Sequence, residues 1–282
     1  MSDIVALGGN TSASTGTDLD SCELFDVDTM EWTNLPHMTT SRGKTPGIVV
    51  TYREGCHRVY VFGGSAGDTG YSIPMNSCEF LDIGSDRWTL IDATMSKPRK
   101  KTCAVMLDEN TVIICGGYGF PYDSCTSCDR FDLTSHTFSD FPKLRESRFE
   151  HAAVQYDGTI VVIGGFYTMK TCERFNIVDN KWEPIASLNH GRSDFGACVI
   201  EDRIYVVGGA HSIEVYDGSS WAIISFVHGL HTSCRAVCIG HDLVMISEGP
   251  TDILTFDPIT GKNDTLPCMI QPVRSCIGAV SF

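Results

Sequence analysis

Positive charge is scarce in this chain. Lysine and arginine total 21 against 35 aspartates and glutamates, a formal net charge of −14. A balance that acidic argues against general affinity for nucleic acid or for an anionic membrane surface, although it leaves room for a local basic site. Long apolar runs are missing as well, and no stretch approaches the ~20 residues of a bilayer-crossing helix. The opening Met1-Ser2-Asp3-Ile4 has no basic start, and the apolar run behind it ends at Gly8-Gly9, so it does not read as a secretory signal. Together these features predict a soluble, cytoplasmic protein. No extended segment shows a 3.6-residue apolar period. Charged residues make up only 20% of the chain and hydrophobic ones 42%, which disfavours disorder and supplies ample core.

What is present is a repeat. A β-type run closing on a glycine pair occurs at Ile4–Gly9, Val59–Gly64, Val112–Gly117, Ile160–Gly165 and Ile204–Gly209, with a degraded sixth copy at Leu243–Gly249. After each pair comes a loop and a second run, as in Cys22-Glu23-Leu24-Phe25-Asp26 or Cys172-Glu173-Arg174-Phe175-Asn176. A turn rich in Asp, Gly, Ser and Asn follows, then an aromatic: Trp32, Trp88, Phe138, Trp182 or Trp221. The sixth unit has Lys262-Asn263 there. A linker then leads to an arginine and a new apolar run. Four short strands per unit, six times over, predict an all-β propeller.

The order Gly-Gly, Glu-x-Tyr/Phe-Asp, Trp, Arg resembles the kelch repeat, and the resemblance covers essentially the whole chain. It implies a six-bladed kelch-type β-propeller. The first unit begins at its second strand, and the closing Arg274–Phe282 segment reads as the missing first strand. The C-terminal strand is therefore expected to complete the N-terminal blade and leave no open sheet edge. The expected single domain spans 1–282, with blade one at 1–36 plus 274–282, blade two at 42–92, blade three at 99–142, blade four at 148–186, blade five at 192–226 and blade six at 231–267. No residues are left over within this span for the BTB and BACK domains that kelch ligase adaptors usually carry. Phe138 and the sixth unit depart from the pattern, which marks blade six as the weakest.

Thirteen cysteines would suit a disulfide scaffold, but the number is odd and no export signal accompanies them. Cys22, Cys78, Cys128 and Cys172 share one repeat position. Equivalent positions in different blades are too far apart to be joined, so they read as small buried hydrophobes. Cys125 and Cys128 form a lone CxxC, and no second pair completes a metal site. No metal or cofactor is expected.

Up-and-down strands put the loops between successive blades and the loops between second and third strands on one face. There an aligned residue enters each blade: Arg42, Arg99, Arg148, Arg192 and Arg274, with His231 in the sixth unit. Symmetry would gather them around the channel as a basic mouth. Arginine offers bidentate contacts to carboxylates; the same residues also read as repeat furniture paired with neighbouring carboxylates. In kelch adaptors of ubiquitin ligases this repeat position helps bind acidic peptides, and the resemblance implies the same role here. On the same face Asn10, Ser65, Tyr118, Phe166, Tyr167 and His211 begin or line the loops 10–21, 65–77, 118–127, 166–171 and 210–212.

Catalytic signatures are wanting: there is no Gly-x-Ser-x-Gly elbow, P-loop or His-Glu-x-x-His. Glu150 and His151 form the one candidate acid–base pair. The expectation is a non-enzymatic, monomeric protein-interaction module with an acidic peptide or protein partner, serving in substrate recognition or as a scaffold. The competing expectation is a small carbohydrate-active enzyme, similar to sugar mutarotases, with its site in the channel.

Overall fold

The computed structural model describes residues 3–9, 17–45, 47–51, 57–67, 72–119, 123–226, 234–247, 253–267 and 278–281. Among them there is no helix, hence none long and apolar enough to cross a membrane. Six four-stranded antiparallel sheets form the blades of a β-propeller. Blade two runs Gly47–Thr51, His57–Phe62, Cys78–Asp82, Thr89–Ile91; blade three Cys103–Asp108, Thr111–Cys115, Cys128–Asp132, Thr137–Phe141. Blade four runs Ala152–Tyr156, Thr159–Ile163, Cys172–Asn176, Lys181–Ile185; blade five Gly196–Ile200, Arg203–Val207, Ser212–Tyr216, Trp221–Phe226. Blade six is Cys234–Ile239, Asp242–Ser247, Ile253–Phe256, Asn263–Leu266. Blade one joins Gly278–Ser281 to Ile4–Leu7, Cys22–Asp26 and Glu31–Leu35, with Ile4 opposite Ser281 and Leu7 opposite Gly278.

The four strands of each blade, lettered a to d in the order given, run outward from the axis. The a strands touch one another in order, and Gly278–Ser281 contacts both Cys234–Ile239 and Gly47–Thr51. The b strands are sandwiched on both faces by neighbouring blades, which is why they read as unbroken apolar runs rather than alternating ones. Ile4–Leu7 and Thr159–Ile163 are buried at every position. Burial then falls away, and only Trp182 of Lys181–Ile185 is buried. Core clusters form between blades, one of them joining Val161 and Ile163 to Ile204, Val206 and Trp221.

The large aromatic of strand d couples neighbours by a polar contact as well as by area. Trp88 Nε1 donates to the Pro36 carbonyl at 2.9 Å, Trp182 to Pro142 at 2.9 Å and Trp221 to Ala186 at 3.0 Å. Trp32 makes the same contact with Pro267 of blade six at 3.0 Å. Phe138 of blade three has no such donor. Beside it the Tyr60 hydroxyl and His136 Nε2 meet at 3.1 Å, joining blades two and three.

The CxxC thiols are engaged locally. Cys125 Sγ donates to the Gly116 and Gly117 carbonyls at 3.0 and 3.3 Å. Burial pushes the pKa of both Cys125 and Cys128 up, the latter well above the ordinary range, which suits packing and not redox or metal chemistry.

Candidate functional site: the loop face and channel mouth

The repeat arginines do not line a basic mouth. Arg42, Arg99, Arg148 and Arg192 are each 0% exposed. Their guanidinium groups fold back into their own blades and pair with Glu79 at 2.7 Å, Asp129 at 2.8 Å, Glu173 at 2.6 Å and Glu214 at 3.0 Å. Further donors go to the carbonyls and hydroxyls of Ser77, Ser127 and Thr171 and to the Ser212 hydroxyl, while among the described residues the Nε of Arg99, Arg148 and Arg192 has no partner. The Nη1 of each arginine donates to the carbonyl of the first glycine of its blade's pair, Gly63, Gly116, Gly164 or Gly208. The carboxylates in turn accept backbone N–H groups of the loop entering the blade. Glu79 takes that of Thr39, Glu173 those of Arg145 and Glu146, and Glu214 those of Asn189 and His190. A loop position says where the arginine backbone lies but not where its long side chain goes. A carboxylate two residues into strand c drew it inward.

The same arginines explain the glycine pair. The second glycine donates to the arginine carbonyl of the next blade: Gly64 to Arg99 at 3.0 Å and Gly117 to Arg148 at 2.9 Å. The first glycine has a positive φ, and a Cβ there would fall 2.5 Å from the Arg99 carbonyl oxygen at Gly63 and 2.6 Å from that of Arg148 at Gly116. No side chain fits. Arginine, acid and glycines are thus one staple joining successive blades.

Ser65 was also expected at the binding surface. It is buried, with its hydroxyl 3.2 Å from the Gly43 carbonyl and 3.3 Å from Asp18, because its own backbone bridges Gly43 at the entry of its blade. Asn10, His231 and Arg274 lie outside the described residues. His211 is exposed, but on a groove toward the outside of blades four and five, away from the channel.

Two residues beyond each buried arginine lies the group that does reach the mouth. Lys44, Lys101, Glu150 and Asp194 all have left-handed backbone, with φ between 53° and 55°. Each is held by its neighbour: Lys101 N donates to the Lys44 carbonyl at 3.0 Å, Glu150 to Lys101 at 3.0 Å, Asp194 to Glu150 at 2.8 Å and Cys234 to Asp194 at 3.2 Å. This staircase of inter-blade bonds offsets the strain of the left-handed residues. With Arg235 they surround a cavity of about 150 Å³ whose wall includes Ala104, Ala153 and Ala197. Charges are mixed around it: Lys101 pairs with Glu150, and Arg235 pairs with Asp194 at 2.9 Å. Among the described residues nothing pairs with the Lys44 ammonium.

Glu150 and His151 are not an acid–base couple. Glu150 is committed to Lys101, and His151 is buried, its Nε2 3.8 Å from Cys115 Sγ and its Nδ1 without a partner. Burial, then the nearby Arg148 charge, lower its pKa to about 3, so it is neutral at neutral pH.

The loop aromatics gather around Phe149. Phe166 stacks on Phe149 with centroids 5.0 Å apart, Tyr167 meets Phe149 edge-on at 5.9 Å, and Tyr118 meets it at 5.4 Å from the other side. Phe149 itself is nearly buried and carries Lys101 Nζ 5.3 Å from its ring. Tyr167 is 74% and Phe166 42% exposed. The result is an aromatic platform beside the charged collar. Of this arrangement only Glu150 stood out in the sequence, as a candidate acid; Phe149, Lys44, Lys101 and Asp194 did not. The collar's only signal is a position that stays polar but changes type from Lys to Glu to Asp inside an otherwise constant frame.

A family model, the KLHDC2/KLHL20/DRC7 Kelch-repeats domain, matches residues 1–209. The chain belongs to the kelch-repeat family. The match ends inside blade five, after its glycine pair, ahead of blade six, whose sequence lacks both the tryptophan and the Arg–Glu pair. No curated protein matches the chain. The solved structure of YjhT is similar with a TM-score of 0.76 at 12% identity, covering 93% of this chain and 97% of that one, a likeness of fold alone. Kelch propellers are generally protein-interaction modules.

Proposed function

We propose that this kelch propeller is a non-catalytic recognition module that seats a peptide segment of a partner protein on the Tyr118–Phe166–Tyr167 platform. The segment carries an acidic side chain that reaches Lys44 at the channel mouth. The observation that carries this reading is the platform itself. Phe166 and Tyr167, exposed, and Tyr118, half-buried, all rest on Phe149 and supply large contact area at little entropic cost. Lys44 gives the acidic preference, since the other collar cations already have carboxylate partners. The mixed-charge lining of the mouth and the commitment of Glu150 to Lys101 instead of His151 support binding over the carbohydrate chemistry considered from sequence.

The test is a quantitative pull-down comparing wild type with the Phe166→Ala/Tyr167→Ala double variant, at matched thermal stability. A set of partners should be lost with the double variant. An unchanged partner set would overturn the proposal.

A further inference from the structure

Outer strands of propeller blades are exposed sheet edges, and this molecule protects most of its own. Glu31–Leu35 begins with a glutamate, Thr137–Phe141 contains Asp140, and Asn263–Leu266 contains Asp264. Lys181–Ile185 contains Lys181, Glu183 and Pro184, and Thr89–Ile91 is only three residues long. Charges, proline and shortness are the usual guards against unwanted pairing. Trp221–Phe226 of blade five has none of these three, and its one guard is a bulge at Ile224, where its pairing with Ser212–Tyr216 shifts register. The strand is six residues long, WAIISF, without charge or proline. Ile223, Ile224 and Phe226 are 38%, 41% and 63% exposed. It lies at the end of its sheet, and among the described residues no strand pairs with its outer edge.

The Phe226 end of this strand opens onto the groove of about 430 Å³ that holds His211. Lys170, His190 and Asn189 also line it, and no carboxylate does among the described residues. The nearest acid, Glu214, is buried beneath and bound to Arg192. In a chain of net charge −14, an apolar edge running into a carboxylate-free, lysine-bearing groove specifies its occupant by charge complementarity.

We propose that the outer edge of Trp221–Phe226 is a docking site for an extended partner segment. The segment adds as an antiparallel strand, with alternating apolar residues along Ile223–Phe226 and acidic residues at its N-terminal end seated in the Lys170–His211 groove. Main-chain hydrogen bonds supply affinity, and the side chains and the acid supply selectivity. Antiparallel addition fixes the order, because the strand runs toward the groove and its partner must start there. The surface is separate from the aromatic platform. Within loop 166–171, Phe166 and Tyr167 stack on Phe149 while Lys170 lines the groove.

A display library of random peptides, selected on the whole chain, tests this. Wild type should enrich acidic-then-alternating-apolar sequences. Ile224→Lys, a change at an exposed site that leaves the thermal midpoint unchanged, should lower affinity for a selected synthetic peptide by at least about tenfold. Lys170→Glu should weaken the same peptide and favour a version with its acids replaced by lysine. Tyr167→Ala should have no effect, which separates this site from the platform. No enrichment, enrichment without the acidic end, or equal binding by Ile224→Lys would refute the proposal. So would a wild-type dimer in sedimentation that Ile224→Lys dissolves, since the edge would then serve a second copy of this chain.

Discussion

Arg148 and Glu150 stand two residues apart in one loop, yet Arg148 is sealed at 0% exposure against Glu173 while Glu150 borders the channel cavity. The contrast repeats at Arg42 and Lys44, Arg99 and Lys101, and Arg192 and Asp194. The inner position keeps its residue type because its partners are invariant geometry: a glycine carbonyl and a strand-c carboxylate. The collar position needs only left-handed backbone and a hydrogen bond to the next blade, so its side chain is free to vary. The lesson is that charge recurring with the repeat marks construction here, and charge that changes from blade to blade is charge that construction does not require.

The sharpest way to break that comparison is Arg148→Ala. It leaves Glu173 buried without its counter-charge and strands two backbone carbonyls, and it should cost ~3–5 kcal/mol. Asp194→Ala in the collar should cost no more than ~1 kcal/mol. Urea denaturation of both variants decides the matter. If Arg148→Ala kept wild-type stability and lost only partners, the buried ring would be a binding ring after all.

Next in size is a pH effect. His151 titrates at about 3 in the folded chain against an ordinary value of 6.5. Above 6.5 neither state binds its proton and the group adds no pH dependence. Below it the unfolded chain takes up a proton that the folded chain refuses, so stability falls by ~1.4 kcal/mol per pH unit until the folded value is reached. Phe195 occupies the equivalent place one blade on, against Gly164. His151→Phe should therefore fold and should flatten this slope, as read by denaturant midpoints between about pH 7 and pH 5. An unchanged slope would mean that His151 is protonated in place.

The smallest expected effect on stability belongs to Lys44→Glu, within ~0.5 kcal/mol of wild type. Its affinity for an acidic partner should nevertheless drop about tenfold. Calorimetry with a partner peptide recovered from the platform experiment measures this. Equal affinity would remove Lys44 from the recognition surface.

The architecture was readable from the chain because Gly-Gly, the strand-c acid and tryptophan each recur in register, and each recurrence has a steric or hydrogen-bonding cause. The placing of Tyr118, Phe166 and Tyr167 in loops of one face was readable too, but not their gathering on Phe149, which depends on how neighbouring blades meet. What misled was side-chain direction. Arg42, Arg99, Arg148 and Arg192 sit in loops whose backbone faces the mouth, and their reach of several bonds lets them turn inward. The arginine's partner was visible in retrospect: the sixth unit replaces Arg by His231 and, in the same unit, Glu by Leu254. Loss of both together is what an ion pair predicts.

The four tryptophans also make the molecule its own optical instrument. Each indole spans a different junction: Trp32 between blades six and one, Trp88 between one and two, Trp182 between three and four, and Trp221 between four and five. The junctions of blades two with three and five with six carry none. A parting of blades five and six would leave every indole donor engaged, so emission would stay silent while amide exchange in Cys234–Ile239 rose.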